Sequence, residues 1–347
     1  MDRQFYLDLA ARGLRMPIGT DLVLHEQTDP EAIMRDPERL GRVMESAAAR
    51  YHTPLAFPLM DLRLEKADIL GRLGVPESEV DTYHFHEPPP PVPDSTDESA
   101  FTIRARAHFG SIRYIANCTD LVPVGMCIGP FSLMTKLMAD PITAVAMAGS
   151  GMTSDDDPDV LMAERCLEAA EAAVSRSMAA QARAGARALI VCEPAANIVY
   201  LSPKQIDAGS DIFERFVMQP NLRLRAQLAG DGVDLIFHDC GELSPSLVRQ
   251  FAERLDPVIL SLGSSRKLWE DAAVVPKRVV LFGNLPTKSF YSDSVMPAEK
   301  VAQFTLDLES RMKAAGHPHI LGSECDVLHV PDAAETIRRK VDVMLTS

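Results

Sequence analysis

Short apolar runs recur along most of this chain, and stretches with apolar residues at helical spacing separate them. Residues 188–192, for example, are continuously apolar and are followed by Glu193-Pro194, whereas residues 159–184 have the spacing of an amphipathic helix. Continuous apolar strands that alternate with helices are typical of parallel β/α units, in which helices cover both faces of the sheet. Seven such runs are visible, and they begin at Leu55, Leu121, Ala188, Val233, Val258, Val279 and Ile320.

Seven visible strands and one weak strand predict an α/β fold of the (β/α)8 TIM-barrel class. An open doubly wound sheet has the same local alternation and stays as the alternative. Residues 1–50 have helical patterning, with Pro30 and Pro37 at the first positions of two helices. We therefore predict an N-terminal helical extension of residues 1–50 and a barrel catalytic domain of residues 51–347, which together make a single domain. Residues 88–100, proline-rich and then acidic, are interpreted as a linker or lid.

The composition is that of a globular protein, with 46% hydrophobic and 24% charged residues in 347 positions. Thirty-five Lys and Arg residues against 49 Asp and Glu residues leave a net charge of −14, which disfavours nucleic acid and anionic membranes as partners. The N-terminus has no apolar core of a signal peptide, and no run is long enough to span a membrane. We expect a cytoplasmic protein, and the sequence leaves open whether it forms a homo-oligomer.

Two of the six cysteines have neighbours that suggest a metal site. His238 and Cys240 follow a short apolar run, and because side chains alternate along a strand, both must point to the same face. Gly241 ends the strand, which is where barrel enzymes carry their chemistry. Cys325 stands at the end of the last clear strand and is the candidate for a third ligand, although a core thiol is the alternative for that residue. One imidazole and two thiolates would suit zinc.

A zinc ion held by two thiolates activates water poorly, because soft donors reduce its Lewis acidity. It is better suited to bind a third sulfur. Coordination deprotonates a thiol, which gives a nucleophile at neutral pH. The predicted chemistry is therefore alkyl transfer to sulfur.

Two carboxylates are candidate catalytic residues. Asp61 lies just past the first predicted strand, where it either lines a pocket or caps a helix. Glu193 ends another strand, where it could orient a ligand, neutralise a substrate ammonium or approach the metal as a fourth ligand. A helix-cap carboxylate is the alternative for Glu193 as well.

From about Leu55 to the C-terminus, the chain resembles the uroporphyrinogen decarboxylase superfamily, and within it the zinc-dependent corrinoid methyltransferases of the methylcobamide:coenzyme M type. The most specific similarity is the His-x-Cys-Gly motif at 238–241 combined with the late Cys325. The other marks are Gly129-Pro130-Phe131, Glu193-Pro194-Ala195, Gly283-Asn284 and Gly322-Ser323-Glu324.

The resemblance implies a (β/α)8 barrel that binds Zn²⁺ through His238, Cys240 and Cys325. A methyl group would pass between a corrinoid such as methylcobalamin and a small acceptor, a thiol or tetrahydrofolate, bound at or near the metal. The chain has no Asp-x-His-x-x-Gly corrinoid signature, so a partner corrinoid protein would carry the cobalamin. Gly129 and Asn284 are the candidate cofactor-binding residues.

Two alternatives stay open. A uroporphyrinogen-decarboxylase-like decarboxylase of a polycarboxylate would need a basic pocket, and residues 1–58 contain no Arg-rich motif for such a substrate. A metal-dependent factor that only docks a corrinoid protein is the non-enzymatic alternative. The chain departs from the family where apolar Leu285-Pro286 follows Asn284 and where Glu193 replaces the usual Asp, and both departures leave the acceptor's identity open.

Overall fold

Eight strands form one sheet in the computed structural model, which describes residues 1–92 and 97–347. Every ladder between neighbouring strands is parallel, and the strand order is β1-β8-β7-β6-β5-β4-β3-β2. The strands are β1 Arg15–Ile18, β2 Leu55–Ala56, β3 Val122–Ile128, β4 Ala188–Cys192, β5 Asp234–Asp239, β6 Ile259–Leu262, β7 Val280–Leu285 and β8 His319–Asp326. They curl into a barrel of the (β/α)8 TIM class, as the sequence predicts.

Helices connect the strands, and many of them open with a proline at the first helical position, where a missing N–H costs nothing. Asp36, for example, caps α4 by accepting hydrogen bonds from the backbone N–H groups of Glu38 and Arg39. The α-helices are α1 Arg3–Ala11, α2 Thr20–Leu24, α3 Pro30–Ile33, α4 Pro37–Arg50, α5 Leu64–Arg72, α6 Ile103–Cys118, α7 Pro130–Leu137, α8 Pro141–Gly149, α9 Pro158–Arg183, α10 Pro203–Asp207, α11 Gln219–Gly230, α12 Pro245–Gln250, α13 Leu268–Asp271, α14 Ala298–Ala315 and α15 Ala334–Thr346. Among the described residues, no helix combines the length and the apolar character that a membrane crossing requires.

Side chains from all eight strands fill the barrel interior. Because side chains alternate along each strand, Ile236 of β5 points inward whereas Leu235 and Phe237 pack outward against the helices. The interior strand residues are Met16, Ile18, Leu55, Val124, Met126, Ala188, Ile190, Cys192, Ile236, Ile259, Val280, Phe282 and Ile320. The interior is therefore a packed core, and the chemistry must lie at one of its ends.

Helix α1 lies at the N-terminal end of the barrel. Tyr6 and Leu9 of this helix belong to the interior cluster, and the Tyr6 hydroxyl donates a 2.8 Å hydrogen bond to Asp234, the first residue of β5. A salt bridge of 2.8 Å from the N-terminal ammonium of Met1 to the same carboxylate strengthens this attachment. The opposite end, where the strands finish, is the end at which a functional site is expected.

Side-chain hydrogen bonds cross the seam between β1 and β2, which stand at the two ends of the strand order within the described residues. The Thr20 hydroxyl donates to the Phe57 carbonyl over 2.8 Å, and the Tyr51 hydroxyl donates to the Gly19 carbonyl over 3.0 Å. All four groups are buried, so each bond satisfies a polar atom that has lost its water. These contacts hold the first two strands beside each other.

Strand β1 corrects the interpretation of residues 1–50 as purely helical. It pairs with β8 and supplies Met16 and Ile18 to the core. Arg15 and Pro17 interrupt its apolar run, and it has only four residues, so its sequence signal is weak. The division of the chain at residue 50 stays a prediction, and the pairing of β1 does not favour it. The interpretation of residues 88–100 as a linker or lid lies partly outside the described residues.

Candidate metal centre

The three predicted metal ligands meet at the C-terminal end of the barrel. His238 is in β5, Cys240 follows directly after that strand, and Cys325 is in β8. Their ligand atoms all lie within 4.8 Å of one another. Three donors from two strands that are far apart in the sequence are thus close enough to share one ion.

His238 is positioned by β6 and has one ring nitrogen without a partner. Its Nδ1 lies 2.8 Å from the Ser261 hydroxyl, and the two residues are paired in the β5–β6 ladder. Its Nε2 is buried and has no hydrogen-bond partner among the described residues. A buried polar atom without a partner is costly, and a metal ion would satisfy it. With Nδ1–H donated to Ser261, Nε2 presents the lone pair that an ion needs.

The pKa values of the two cysteine thiols are shifted in opposite directions. The Cys325 thiol donates a hydrogen bond that lowers the pKa of Cys240, and His238 and Lys288 lower it further, against the effect of burial. The pKa of Cys325 is raised, first by that same hydrogen bond and then by burial. Cys240 is therefore the thiolate of the pair, and binding of a metal would displace the remaining proton from Cys325.

The loop after β6 holds the backbone of Cys240 in place. A Cβ on Gly263 would lie 2.6 Å from the Cys240 carbonyl oxygen, so only glycine fits there. Asn284, at the end of β7, donates hydrogen bonds to the carbonyls of Gly263 over 2.7 Å and Arg266 over 2.9 Å. Asn284 thus anchors the loop that packs against a candidate ligand. Its predicted cofactor-binding role stays a prediction.

Lys288 is a residue of the site that the sequence reasoning missed. It lies in a short 3-10 turn after β7, and its ammonium is 3.8 Å from the Cys240 sulfur. Burial lowers the pKa of Lys288, but Cys240, Cys325 and Glu324 outweigh that effect and raise it. Glu324 also accepts hydrogen bonds from the Ser264 hydroxyl over 2.5 Å and the Lys288 backbone N–H over 3.2 Å. The signal in the sequence is the position of a lysine a few residues past a barrel strand.

Glu193 caps helix α7. Its Oε1 accepts from the backbone N–H of Phe131 over 3.1 Å and from the Asn221 amide over 2.9 Å, and its Oε2 accepts from the backbone N–H of Ser132 over 2.8 Å. A Cβ on Gly129 would lie 2.1 Å from the Glu193 carboxyl carbon. The Gly-Pro-Phe and Glu-Pro-Ala marks of the sequence are therefore in contact. This arrangement corresponds to the helix-cap alternative, and Glu193 is not part of the three-donor group.

A cavity of about 580 Å³ opens beside Cys325 and Lys288. Asp61 lies in its wall and accepts a 2.9 Å hydrogen bond from Arg63, and Arg104 is 3.5 Å away. Burial raises the pKa of Asp61, but the two arginines outweigh it and lower the pKa. Asp61 is therefore an ionised side chain in the cavity wall, and its catalytic role stays a prediction.

A parallel β/α barrel with a His/Cys/Cys donor set at the C-terminal end of its strands defines the class of this protein. Comparison with family models identifies the family: the chain belongs to the Uroporphyrinogen decarboxylase (URO-D) family, whose model matches residues 31–343. This match confirms the family resemblance noted in the sequence.

Among solved structures, a methyltransferase from Methanosarcina mazei is similar, with a TM-score of 0.66 and 15% sequence identity. The match covers 99% of this chain and 98% of that one, and it shows that the two share their fold. No curated protein matches the chain significantly.

Proposed function

We propose that this protein is a zinc-dependent methyltransferase that moves a methyl group between a corrinoid on a partner protein and a thiol or similar acceptor. The observation that carries the proposal is the convergence of three donor atoms, one of which, His238 Nε2, is buried without a partner. The structural likeness to a methyltransferase supports the same class of reaction.

The donor set fits zinc better than the harder divalent ions. Mg²⁺ and Ca²⁺ select oxygen ligands, whereas thiolate and imidazole are the usual ligands of zinc. His238, Cys240 and Cys325 would hold the ion and leave one position open. Bound zinc would supply a means to keep an acceptor thiol deprotonated at neutral pH.

The residues around the donors have separate tasks in this proposal. Ser261 orients the His238 ring. The Lys288 ammonium offsets the negative charge that accumulates where several sulfurs gather. Apolar side chains that include Leu59, Leu62 and Leu328 line the cavity and would limit the access of water to the acceptor.

The size of the cavity indicates different positions for the methyl acceptor and the corrinoid. A volume of about 580 Å³ suits a small acceptor, whereas a corrinoid macrocycle would have to lie over the mouth. In the transfer, a bond forms between the acceptor sulfur and the methyl carbon as the cobalt–carbon bond breaks. Cobalt retains the electron pair and leaves as Co(I).

The charges of the cavity wall disfavour the decarboxylase alternative. Four carboxyl groups line the cavity, against two arginines and one lysine, and Asp61 already pairs with both arginines. The carboxyl groups are Asp21, Glu31, Asp61 and Asp326, and the cations are Arg63, Arg104 and Lys288. Burial raises the pKa of Asp326 well above its usual range, so this group adds no negative charge to the wall. The wall therefore offers a polycarboxylate substrate no excess of positive charge.

Elemental analysis and cobalamin spectroscopy test the proposal together. The purified protein should contain stoichiometric zinc, and with methylcobalamin and a suitable thiol or tetrahydrofolate it should convert methyl-Co(III) to Co(I). Cys240→Ser and Cys325→Ser should lose both zinc and transfer. Cys118→Ser, which changes an exposed cysteine of α6, is the matched control and should retain both.

The alternatives predict different results. A metal-free protein with full transfer activity would contradict the proposal. Carbon dioxide release from a porphyrinogen polycarboxylate that chelators do not affect would support the decarboxylase. Zinc binding without transfer to any acceptor would favour the docking factor.

A further inference from the structure

Met60 lies beside Cys325, one of the three donor residues. It follows β2 in the loop that leads to α5, and its half-buried side chain lines the same cavity as Cys325 and Lys288. Its Sδ is 4.0 Å from the Cys325 sulfur. A thioether is a soft donor of the kind that a thiolate-rich site accepts.

The distance between the two sulfurs matches the spacing of two ligands on one ion. Zinc–sulfur bonds are about 2.3 Å long, so two sulfurs on one tetrahedral zinc are separated by about 3.8 Å. The observed separation of 4.0 Å is close to that value. The two sulfurs are therefore close enough for both to reach one ion.

The other residue types that bind zinc do not supply a fourth ligand. Among the described residues, the group of histidine, cysteine and carboxylate donors at this place has three members only. Glu193, the carboxylate that the sequence suggested for this role, accepts hydrogen bonds at the start of α7 instead. A structural zinc site has four ligands, and a catalytic one keeps its fourth position for an exchangeable group.

We propose that the Met60 thioether is the fourth, exchangeable donor of the metal site, an inference that rests on the metal site of the proposed function. A divalent ion with two thiolates and one neutral imidazole has a net charge of zero. A thioether is neutral, so its binding does not change that charge. It is also a weaker donor than a thiolate, so an acceptor thiol that releases its proton to solvent can take its place. Met60 thus protects the site from water and other ligands while no acceptor is bound.

The cobalt-substituted protein provides a readout that does not depend on activity. Its visible absorption bands report the number and type of ligands. Met60→Leu should shift these bands, and competition with a chelator should show a metal affinity weaker by about tenfold. Met34→Leu is the matched control, because Met34 lines the same cavity but its sulfur contacts Arg104 at 2.7 Å. This control should leave both the spectrum and the affinity unchanged.

X-ray absorption of the zinc-loaded protein counts the sulfur neighbours of the metal directly. Three sulfur neighbours and one nitrogen are expected in the absence of thiol, and two sulfurs are expected in Met60→Leu. Two sulfurs and an oxygen in the wild type, or a Met60→Leu spectrum identical to the wild type, would overturn the role of Met60. Failure of the wild type to bind any metal through its cysteines would instead contradict the proposed function.

Discussion

At the scale of single residues, the site depends on groups that do not themselves bind the metal. Ser261 orients the His238 ring through its contact with Nδ1, and Gly263 leaves room for the backbone of Cys240. Lys288 places a positive charge 3.8 Å from the Cys240 sulfur. Such neighbours tune affinity because a ligand in the wrong tautomer or position binds weakly.

A variant of Ser261 tests whether orientation of the His238 ring contributes to metal affinity. Ser261→Ala removes the hydroxyl that orients the His238 ring, so the metal affinity should fall by about 10–100-fold, as it does for other outer-shell hydrogen bonds. Chelator competition with zinc measures the effect. Ser111→Ala is the control, since Ser111 is a buried serine of α6 whose hydroxyl donates to the His108 carbonyl over 2.8 Å. An unchanged affinity in Ser261→Ala would mean that packing alone orients the ring.

At the scale of elements, the start of α7 depends on a residue from another β/α unit. The first N–H groups of a helix have no partner within the helix, and Glu193 from the end of β4 accepts two of them. Gly129 allows the approach because any side chain there would collide with the carboxylate. The Gly-Pro-Phe and Glu-Pro-Ala motifs therefore serve one structural purpose, which is to pack the start of α7 against the end of β4.

Glu193→Gln separates the capping role from a catalytic or ligand role. The amide has one oxygen where the carboxylate uses two, so one buried N–H of α7 loses its acceptor. The free energy of unfolding should fall by about 1–3 kcal/mol, measured by denaturant unfolding. Zinc content should not change. Glu168→Gln, in an exposed pair with Arg165, is the control and should affect neither quantity. Loss of zinc without loss of stability would support the role of a fourth ligand.

At the scale of the whole molecule, the sequence predicts most of the fold because its signals are local. Seven strands are continuous apolar runs, and the His238-x-Cys240 pair follows from alternation along one strand. The weak eighth strand is β1. Its apolar pattern is difficult to recognise in the sequence because Arg15 and Pro17 alternate with Met16 and Ile18. Lys288 and Met60 were missed as site residues because their role comes from the curling of the sheet, which brings together loops that the sequence keeps far apart. Cys325 could be grouped with His238 and Cys240 only because the C-terminal ends of all strands lie at the same end of a barrel.

Residues 1–50 supply β1 to the barrel, and their removal tests whether the other strands fold without it. A chain of residues 51–347 lacks β1 and exposes the unpaired edge of β8. It also loses the core side chains of Tyr6, Met16 and Ile18. We expect this truncated chain to show no cooperative thermal unfolding and to bind no zinc.

A point variant keeps this prediction testable if the truncated chain only aggregates. Ile18→Ala leaves the backbone of β1 in place but opens a cavity in the barrel interior, and it should lower the free energy of unfolding by about 2–5 kcal/mol. Leu328→Ala, at an exposed position after β8, is the matched control and should cost little. If the truncated chain folds and binds zinc, residues 1–50 are an extension, as the helical patterning suggested. If it does not, the barrel and its metal site depend on β1, which pairs with β8, the strand that carries Cys325.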